Sequence, residues 1–115
     1  MKQSTITIDI LLDKDKLPEE IKWNASDSTA EADQKAKAMM LSLWDSADKA
    51  ALRIDIWTKD MMVDEMGDFF YQTMMTMADT YSRATRHAEL VDDMKGFARE
   101  FYKKFKEHQL KEHKA

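Results

Sequence analysis

A chain of 115 residues with 43% hydrophobic and 35% charged residues has the size and composition of one globular domain, which we predict over residues 1–115. It contains no cysteine, so disulfide bridges and thiolate metal sites are excluded. The net charge of −4 argues against a nucleic-acid-binding protein, because such proteins usually carry a basic face.

The sequence favours a cytoplasmic location. Thr7 and Asp9 interrupt the isoleucines near the N-terminus, so this stretch lacks the unbroken apolar core of a secretory signal. No segment approaches the roughly 18 consecutive apolar residues that a membrane-spanning helix needs. We therefore expect no direct insertion into a membrane, and an association with the inner membrane only through a complex.

The first hairpin is predicted from two alternating segments. Residues 6–12 alternate between isoleucines and polar side chains, as in a half-buried strand. A polar turn follows at residues 13–16, and Pro18 suits the first position of a strand because it cannot donate a ladder hydrogen bond. A second alternating segment ends at Ala25, and we expect residues 26–34 to form a polar loop.

The second predicted hairpin joins strands at about residues 36–44 and 51–58. Pairing Trp44 with Ala51 makes one face entirely apolar, with Leu43 opposite Leu52, Leu41 opposite Ile54, and Met39 opposite Ile56. A shift of one residue would place charged side chains in that row, which burial would penalise. The other face is mixed, with Ala38 opposite Trp57, Met40 opposite Asp55, and Ser42 opposite Arg53.

From Asp60 the apolar residues take the spacing of an amphipathic helix. We predict a first helix with its N-cap at Asp60 and a second over about residues 88–108, followed by a frayed tail over 109–115. Gly67 and Gly96 lie inside these helices, where glycine is unfavourable, so another element should approach closely at each. The predicted fold class is α+β (ββββαα), a four-stranded antiparallel sheet of two hairpins with both amphipathic helices packed on one face.

No catalytic, cofactor or metal site is predicted, and we expect the protein not to be an enzyme. The chain has two glycines and no phosphate-binding loop, and no serine lies in a nucleophile elbow. His108 and His113 are five residues apart, which does not place two ligands side by side on a helix. Three acidic residues share one side of the first helix, but such residues are common at helix N-termini and a hard cation needs more oxygen ligands. They are Asp60, Asp64 and Asp68.

The mixed face of the second hairpin is the candidate interaction surface. Its residues belong to types that are enriched in the cores of protein interfaces or in their polar surroundings. They are Met40, Trp44, Arg53, Asp55 and Trp57. The interface could be with a foreign protein or with a second copy of the chain.

Other interpretations of this face stay open. The first hairpin could cover these side chains, or the sheet could curl round them to form a second small core. The face could also bind a small ligand or stack the bases of a single-stranded nucleic acid, although the acidic balance opposes nucleic acid.

Several runs of residues closely resemble the GldC family, small gliding-motility-associated proteins of Bacteroidetes. The runs are 16–23, 39–46, 52–61, 63–66, 72–73 and 77–80. The resemblance covers most of residues 5–100, and the joined run LRIDIWTKDM is specific. Met62 stands where the family typically has proline, and the basic tail beyond Lys104 is longer than is usual in the family.

The resemblance implies an accessory role in surface gliding, linked to the cell-envelope machinery that moves adhesins. It implies no catalytic residues. We therefore predict a non-enzymatic accessory or scaffold protein without a cofactor, whose partner is a protein of the gliding or secretion machinery.

Overall fold

The computed structural model describes residues 2–27 and 33–114, which form five strands followed by two helices. The chain divides into two compact units, residues 1–61 with the strands and residues 62–115 with the helices. The α+β class is confirmed. The prediction of one four-stranded sheet is wrong, because the strands form a three-stranded and a two-stranded antiparallel sheet. The single domain and the packing of the helices on one sheet face stay predictions.

The first sheet contains the predicted first hairpin. Strand β1 (Ile6–Leu12) pairs with β2 (Pro18–Ala25), and β2 pairs in turn with β3 (Gln34–Ala36). Ile8 lies opposite Trp23, and Ile10 lies opposite Ile21, which is 1% exposed. These pairs share one face because residues directly opposite each other project to the same side of a sheet. The alternation of the sequence therefore yields an apolar face on this sheet.

The turn of the first hairpin is organised by the Asp13 carboxylate. Its Oδ1 atom accepts hydrogen bonds from the backbone N–H groups of Asp15 at 2.8 Å and of Leu17 at 3.0 Å. Its Oδ2 atom lies 3.1 Å from Nζ of Lys59, just beyond the end of the fifth strand. Lys16 adopts a positive φ of 65°, which lets the chain reverse within this short turn.

The second sheet contains the predicted second hairpin, β4 (Ala38–Asp45) and β5 (Ala50–Trp57). Its register is confirmed, since Trp44 pairs with Ala51 and every further pair follows from that one. Asp45 supports the turn, because its Oδ1 atom accepts the backbone N–H of Ala47 at 2.9 Å. The pattern of apolar residues thus predicted the pairing of these two strands correctly.

A bend at Lys37 explains why there are two sheets. Residues 34–36 pair with β2, whereas the chain after Lys37 pairs with β5. Thr58 is 2% exposed, and its backbone N–H donates to the carbonyl oxygen of Lys37 at 2.7 Å. The N–H of Lys59 donates to the carbonyl oxygen of Pro18 at 3.1 Å, which ties the end of β5 to the start of β2.

Two boundary predictions are corrected by this bend. The predicted third strand, at 36–44, crosses from one sheet to the other instead of lying in a single sheet. Gln34 was expected in a loop but begins β3 and pairs with Trp23. Residues 28–32 of the predicted loop lie outside the described residues.

The helical unit consists of α1 (Val63–Ala84) and α2 (Ala88–Lys114). The N-cap residue of α1 is Met62, so the predicted N-cap at Asp60 is wrong. Asp60 instead lies 2.6 Å from the hydroxyl of Thr58, and Glu65 Oε1 accepts the backbone N–H of Met62 at 3.3 Å. The second helix continues past its predicted end at residue 108, and fraying of the tail stays a prediction.

The two helices pack as an antiparallel pair. Lys95 Nζ lies 2.8 Å from Asp79 Oδ1, which links the two helices along one side. A Cβ atom at Gly67 would overlap the ring of Phe105, so the predicted close approach at that glycine is confirmed. The same expectation at Gly96 is wrong, since no heavy atom beyond its chain neighbours and its own stretch of helix backbone lies within 4 Å of the position its Cβ would take. In the part of the chain that the structure describes, no helix is long and apolar enough to cross a membrane.

Candidate interaction surface on the second hairpin

The structure brings all five predicted residues to one face of the second hairpin. The cross-strand pairs of this face, or rungs, follow one another along the strands in the order Trp44–Ala51, Ser42–Arg53, Met40–Asp55 and Ala38–Trp57. Successive rungs lie on the same side because side chains alternate between the two faces of a strand. We call the five residues Met40, Trp44, Arg53, Asp55 and Trp57 the Trp face.

An ion pair occupies the middle of the Trp face. Arg53 Nη2 donates to Asp55 Oδ1 at 2.9 Å, and Arg53 Nε donates to Asp55 Oδ2 at 3.2 Å. The two residues are separated by one position on β5, so their side chains project from the same side. The hydrogen bonds from Arg53 to Asp55 and the charge of Asp55 raise the pKa of Arg53 above its usual value. The guanidinium is therefore charged, and the carboxylate beside it offsets that charge locally.

The two tryptophans flank this ion pair at opposite ends of the hairpin. Trp44 is 67% exposed and Trp57 is 59% exposed. Their rungs lie six positions apart along β4, which places them about 20 Å apart along the strand direction. These exposures contradict the interpretation that the first hairpin or a second small core encloses them.

The opposite face of the same hairpin is apolar and also accessible. Leu43 is 56% exposed, and Leu52 and Ile54 are 53% and 50% exposed. The sequence predicted that the helices cover this row, and that packing stays a prediction. Within the strand-rich unit, the hairpin therefore presents accessible apolar side chains on both sides.

The acidic residues that were considered as a cation site have other partners. Asp60 lies against the hydroxyl of Thr58, and this hydrogen bond lowers the pKa of Asp60 below its usual value. Asp68 accepts a hydrogen bond from the hydroxyl of Tyr102 at 2.7 Å. Among residues 2–27 and 33–112, no group of three histidine or acidic side chains could hold a metal ion. The side chain of His113 lies outside the described residues.

A groove on the helical unit was not anticipated from the sequence. It has a volume of about 340 Å³, and it is lined by Met74, Met77, Asp93, Met94 and Phe97. The sequence predicted two amphipathic helices, but no groove between them. Periodicity shows which side of a helix is apolar, but it does not show how much of that side stays accessible.

The order of elements and the exposed hairpin define the chain as an α+β protein whose strand-rich unit precedes a helical hairpin. Residues 18–107 match the family described as "Gliding motility-associated protein GldC-like", and the chain belongs to this GldC-like family. The match includes the whole Trp face and confirms the resemblance seen in the sequence. No curated protein and no solved structure matches the chain.

Proposed function

We propose that this protein is a non-enzymatic accessory or scaffold component of gliding motility that binds a protein partner through the Trp face. We place it in the cytoplasm, where a complex could hold it at the inner membrane. Membership of the GldC-like family supports the link to gliding. The observation that carries the proposed contact is the exposure of Trp44 and Trp57 on either side of the Arg53–Asp55 ion pair.

The composition of the Trp face suits a protein interface. A tryptophan side chain removes a large apolar area from water when a partner covers it, and tryptophan and arginine are enriched among the residues that dominate binding energy. The ion pair lies between the two tryptophans, so a partner would meet two opposite charges that already satisfy each other in part. Covering a paired charge costs less than covering an isolated one.

The charges of the Trp face favour a protein partner over a nucleic acid. Binding to a phosphate backbone depends on cations that displace counterions from the phosphates. Arg53 is the cation of this face, and Asp55 holds it through two hydrogen bonds. A phosphate would have to compete with that carboxylate for the guanidinium.

Neighbouring residues of β4 provide a matched pair of variants. Trp44 and Leu43 are adjacent in the chain and similarly exposed, but they project to opposite faces of the hairpin. The test is affinity purification of the tagged protein from its native cells, followed by mass spectrometry. Trp44→Ser and Leu43→Ser are compared with the unchanged protein, after circular dichroism has shown that each variant is folded.

The proposal predicts that components of the motility or secretion machinery are enriched with the unchanged protein and with Leu43→Ser. They should be lost with Trp44→Ser. Equal recovery of these components with both variants would exclude the Trp face as the contact. Recovery of the tagged protein alone would contradict the scaffold role.

A further inference from the structure

We infer that the outer edge of β5 pairs with β5 of a second copy of this chain, antiparallel, about a two-fold axis through Ile54. This contact joins the backbone edges of two β5 strands and also involves Arg53, Asp55 and Trp57 of the Trp face. It stands on its own observations and does not depend on the proposed role in motility. Three features of β5 favour this pairing: its outer edge, the order of its charges and the exposed apolar residues beside them.

The outer edge of β5 is the side of this strand that faces away from β4. In the described part of the chain β5 pairs with β4 alone. Residues of an antiparallel strand turn their backbone groups alternately towards and away from the neighbouring strand. The N–H of Thr58 donates to Lys37, so the even-numbered residues of β5 turn towards β4. The odd-numbered residues, including Arg53 and Asp55, therefore turn their backbone N–H and C=O groups to the open edge.

The order of side chains along β5 is complementary to itself. With the two-fold axis at Ile54, Arg53 of one copy lies opposite Asp55 of the second copy, and the reverse pair forms on the other side of the axis. Opposite charges on directly paired residues stabilise an antiparallel sheet. These two ion pairs would lie beside the Arg53–Asp55 pair that exists within each chain. The same outward-turned residues would exchange the backbone hydrogen bonds.

The same charges disfavour the neighbouring registers of self-pairing. Because odd-numbered residues must pair with each other, the next possible axes lie at Arg53 and at Asp55. An axis at Arg53 places two guanidinium groups opposite each other, and an axis at Asp55 places two carboxylates opposite each other. Like charges in directly opposite positions are destabilising. The charge pattern thus selects one register of self-pairing.

The other edge strands with seven or more residues do not share this property. Strand β1 carries one charge, Asp9, and strand β4 carries one charge, Asp45. A strand with a single charged residue cannot place opposite charges against each other when it pairs with a copy of itself. Among the strands with seven or more residues, β5 is therefore the edge suited to a second copy.

The apolar residues of β5 fit the same register. Ile54 would meet Ile54 of the second copy at the axis, and Leu52 would lie opposite Ile56. Trp57 would lie opposite Ala51, where the small side chain leaves room for the indole ring. Leu52 and Ile54 are about half exposed in one chain, so pairing would remove apolar area from water. The two hairpins would then form one four-stranded sheet with two open edges of β4.

Charge substitutions on purified full-length protein test this pairing. Sedimentation equilibrium is measured for the unchanged chain, for Arg53→Asp, for Asp55→Arg and for an equimolar mixture of the two variants. Arg53→Asp leaves two acidic residues in the paired positions, and Asp55→Arg leaves two basic ones. Neither can pair with itself, but the acidic variant is complementary to the basic variant. Circular dichroism checks that each variant is folded.

The molecular mass measured for the unchanged chain should be twice the 13.5 kDa of one chain. For each variant alone, the dissociation constant of the dimer should be at least about tenfold higher than for the unchanged chain. The equimolar mixture should form the dimer again. A monomeric unchanged chain at high concentration would overturn the inference and leave the edge to a strand of another protein. Variants that dimerise as well as the unchanged chain, or a mixture that stays monomeric, would also overturn it.

Discussion

The ring of Phe105 on α2 lies over Gly67 on α1, in the space that a Cβ atom at Gly67 would occupy. Glycine is unfavourable within a helix, so its presence there needs a reason in the packing. The close approach of an aromatic ring supplies that reason, because any larger residue would push the ring away. This contact lies within the helical unit and helps to set the spacing of its two helices.

Gly67→Ala should destabilise the protein by about 1–3 kcal/mol, which is the usual cost of overpacking a site. Gly96→Ala is the matched control, since the space around its Cβ position is open. There the usual helix preference for alanine should stabilise the protein by about 0.5–1 kcal/mol. Urea unfolding monitored by circular dichroism measures both. A stabilising Gly67→Ala variant would show that the ring is not held at this position.

Tyr102→Phe should lower the free energy of unfolding by about 1–2 kcal/mol. The hydroxyl of Tyr102 donates to Asp68 Oδ1 at 2.7 Å, and the substitution removes this bond to a charged acceptor. The ring also stacks on Tyr71 with centroids 4.4 Å apart, and phenylalanine keeps that contact. Tyr71→Phe preserves the stacked pair and the bond to Asp68, and it is the control. Equal effects of the two substitutions in urea unfolding would contradict this assignment.

Thr58→Val should raise the pKa of Asp60 towards its usual value of 3.8, because the Thr58 hydroxyl is the main cause of its lowering. Valine preserves the shape of the buried side chain and the backbone bond to Lys37. The variant should keep both sheets but unfold at a lower urea concentration. Titration of the Asp60 carboxyl carbon by NMR measures the change directly. An unchanged pKa of Asp60 would show that the hydroxyl donates to the Lys37 carbonyl instead.

Stability should fall in acid partly through Asp13. The backbone N–H of Leu17 and the ammonium group of Lys59 hold the pKa of Asp13 below 3.8, its usual value. A carboxyl with a lower pKa in the folded state contributes stability that is complete above the unfolded pKa. That contribution is lost as the pH falls through the folded pKa.

Urea midpoints between about pH 6 and pH 2 measure this loss. Asp13→Asn should be less stable than the unchanged chain at the upper end of the range. The difference between the two proteins should shrink as the pH falls, because protonation removes the same interaction in the unchanged chain. A difference that stays constant across the range would contradict the role of the Asp13 charge.

The parts of the fold that the sequence predicted correctly depend on local patterns. The alternation from Met39 to Trp44 and from Ala51 to Ile56 admits one register with an apolar row, and the structure has that register. The two helices follow from apolar spacing in the same way, since each residue's side is set by its position along the helix. The Trp face is a direct consequence of the register, so its five residues were identified together.

The parts that the sequence did not predict depend on contacts between distant residues. The bend at Lys37 divides the sheet because Thr58, 21 positions later, bonds to its carbonyl oxygen. Strand β3 has three residues, too few for an alternating pattern to stand out. Asp60 has the chemistry of an N-cap, but the hydroxyl of Thr58 engages its carboxylate before the helix begins.

The role of the Trp face in motility is tested most directly by gliding itself. The native gene is replaced by versions encoding Trp44→Ser/Trp57→Ser or Leu43→Ser, and colony spreading and single-cell gliding are measured at matched protein levels. We expect the double tryptophan variant to fail to support gliding and Leu43→Ser to support it normally. Normal gliding with the folded double tryptophan variant would contradict the claim.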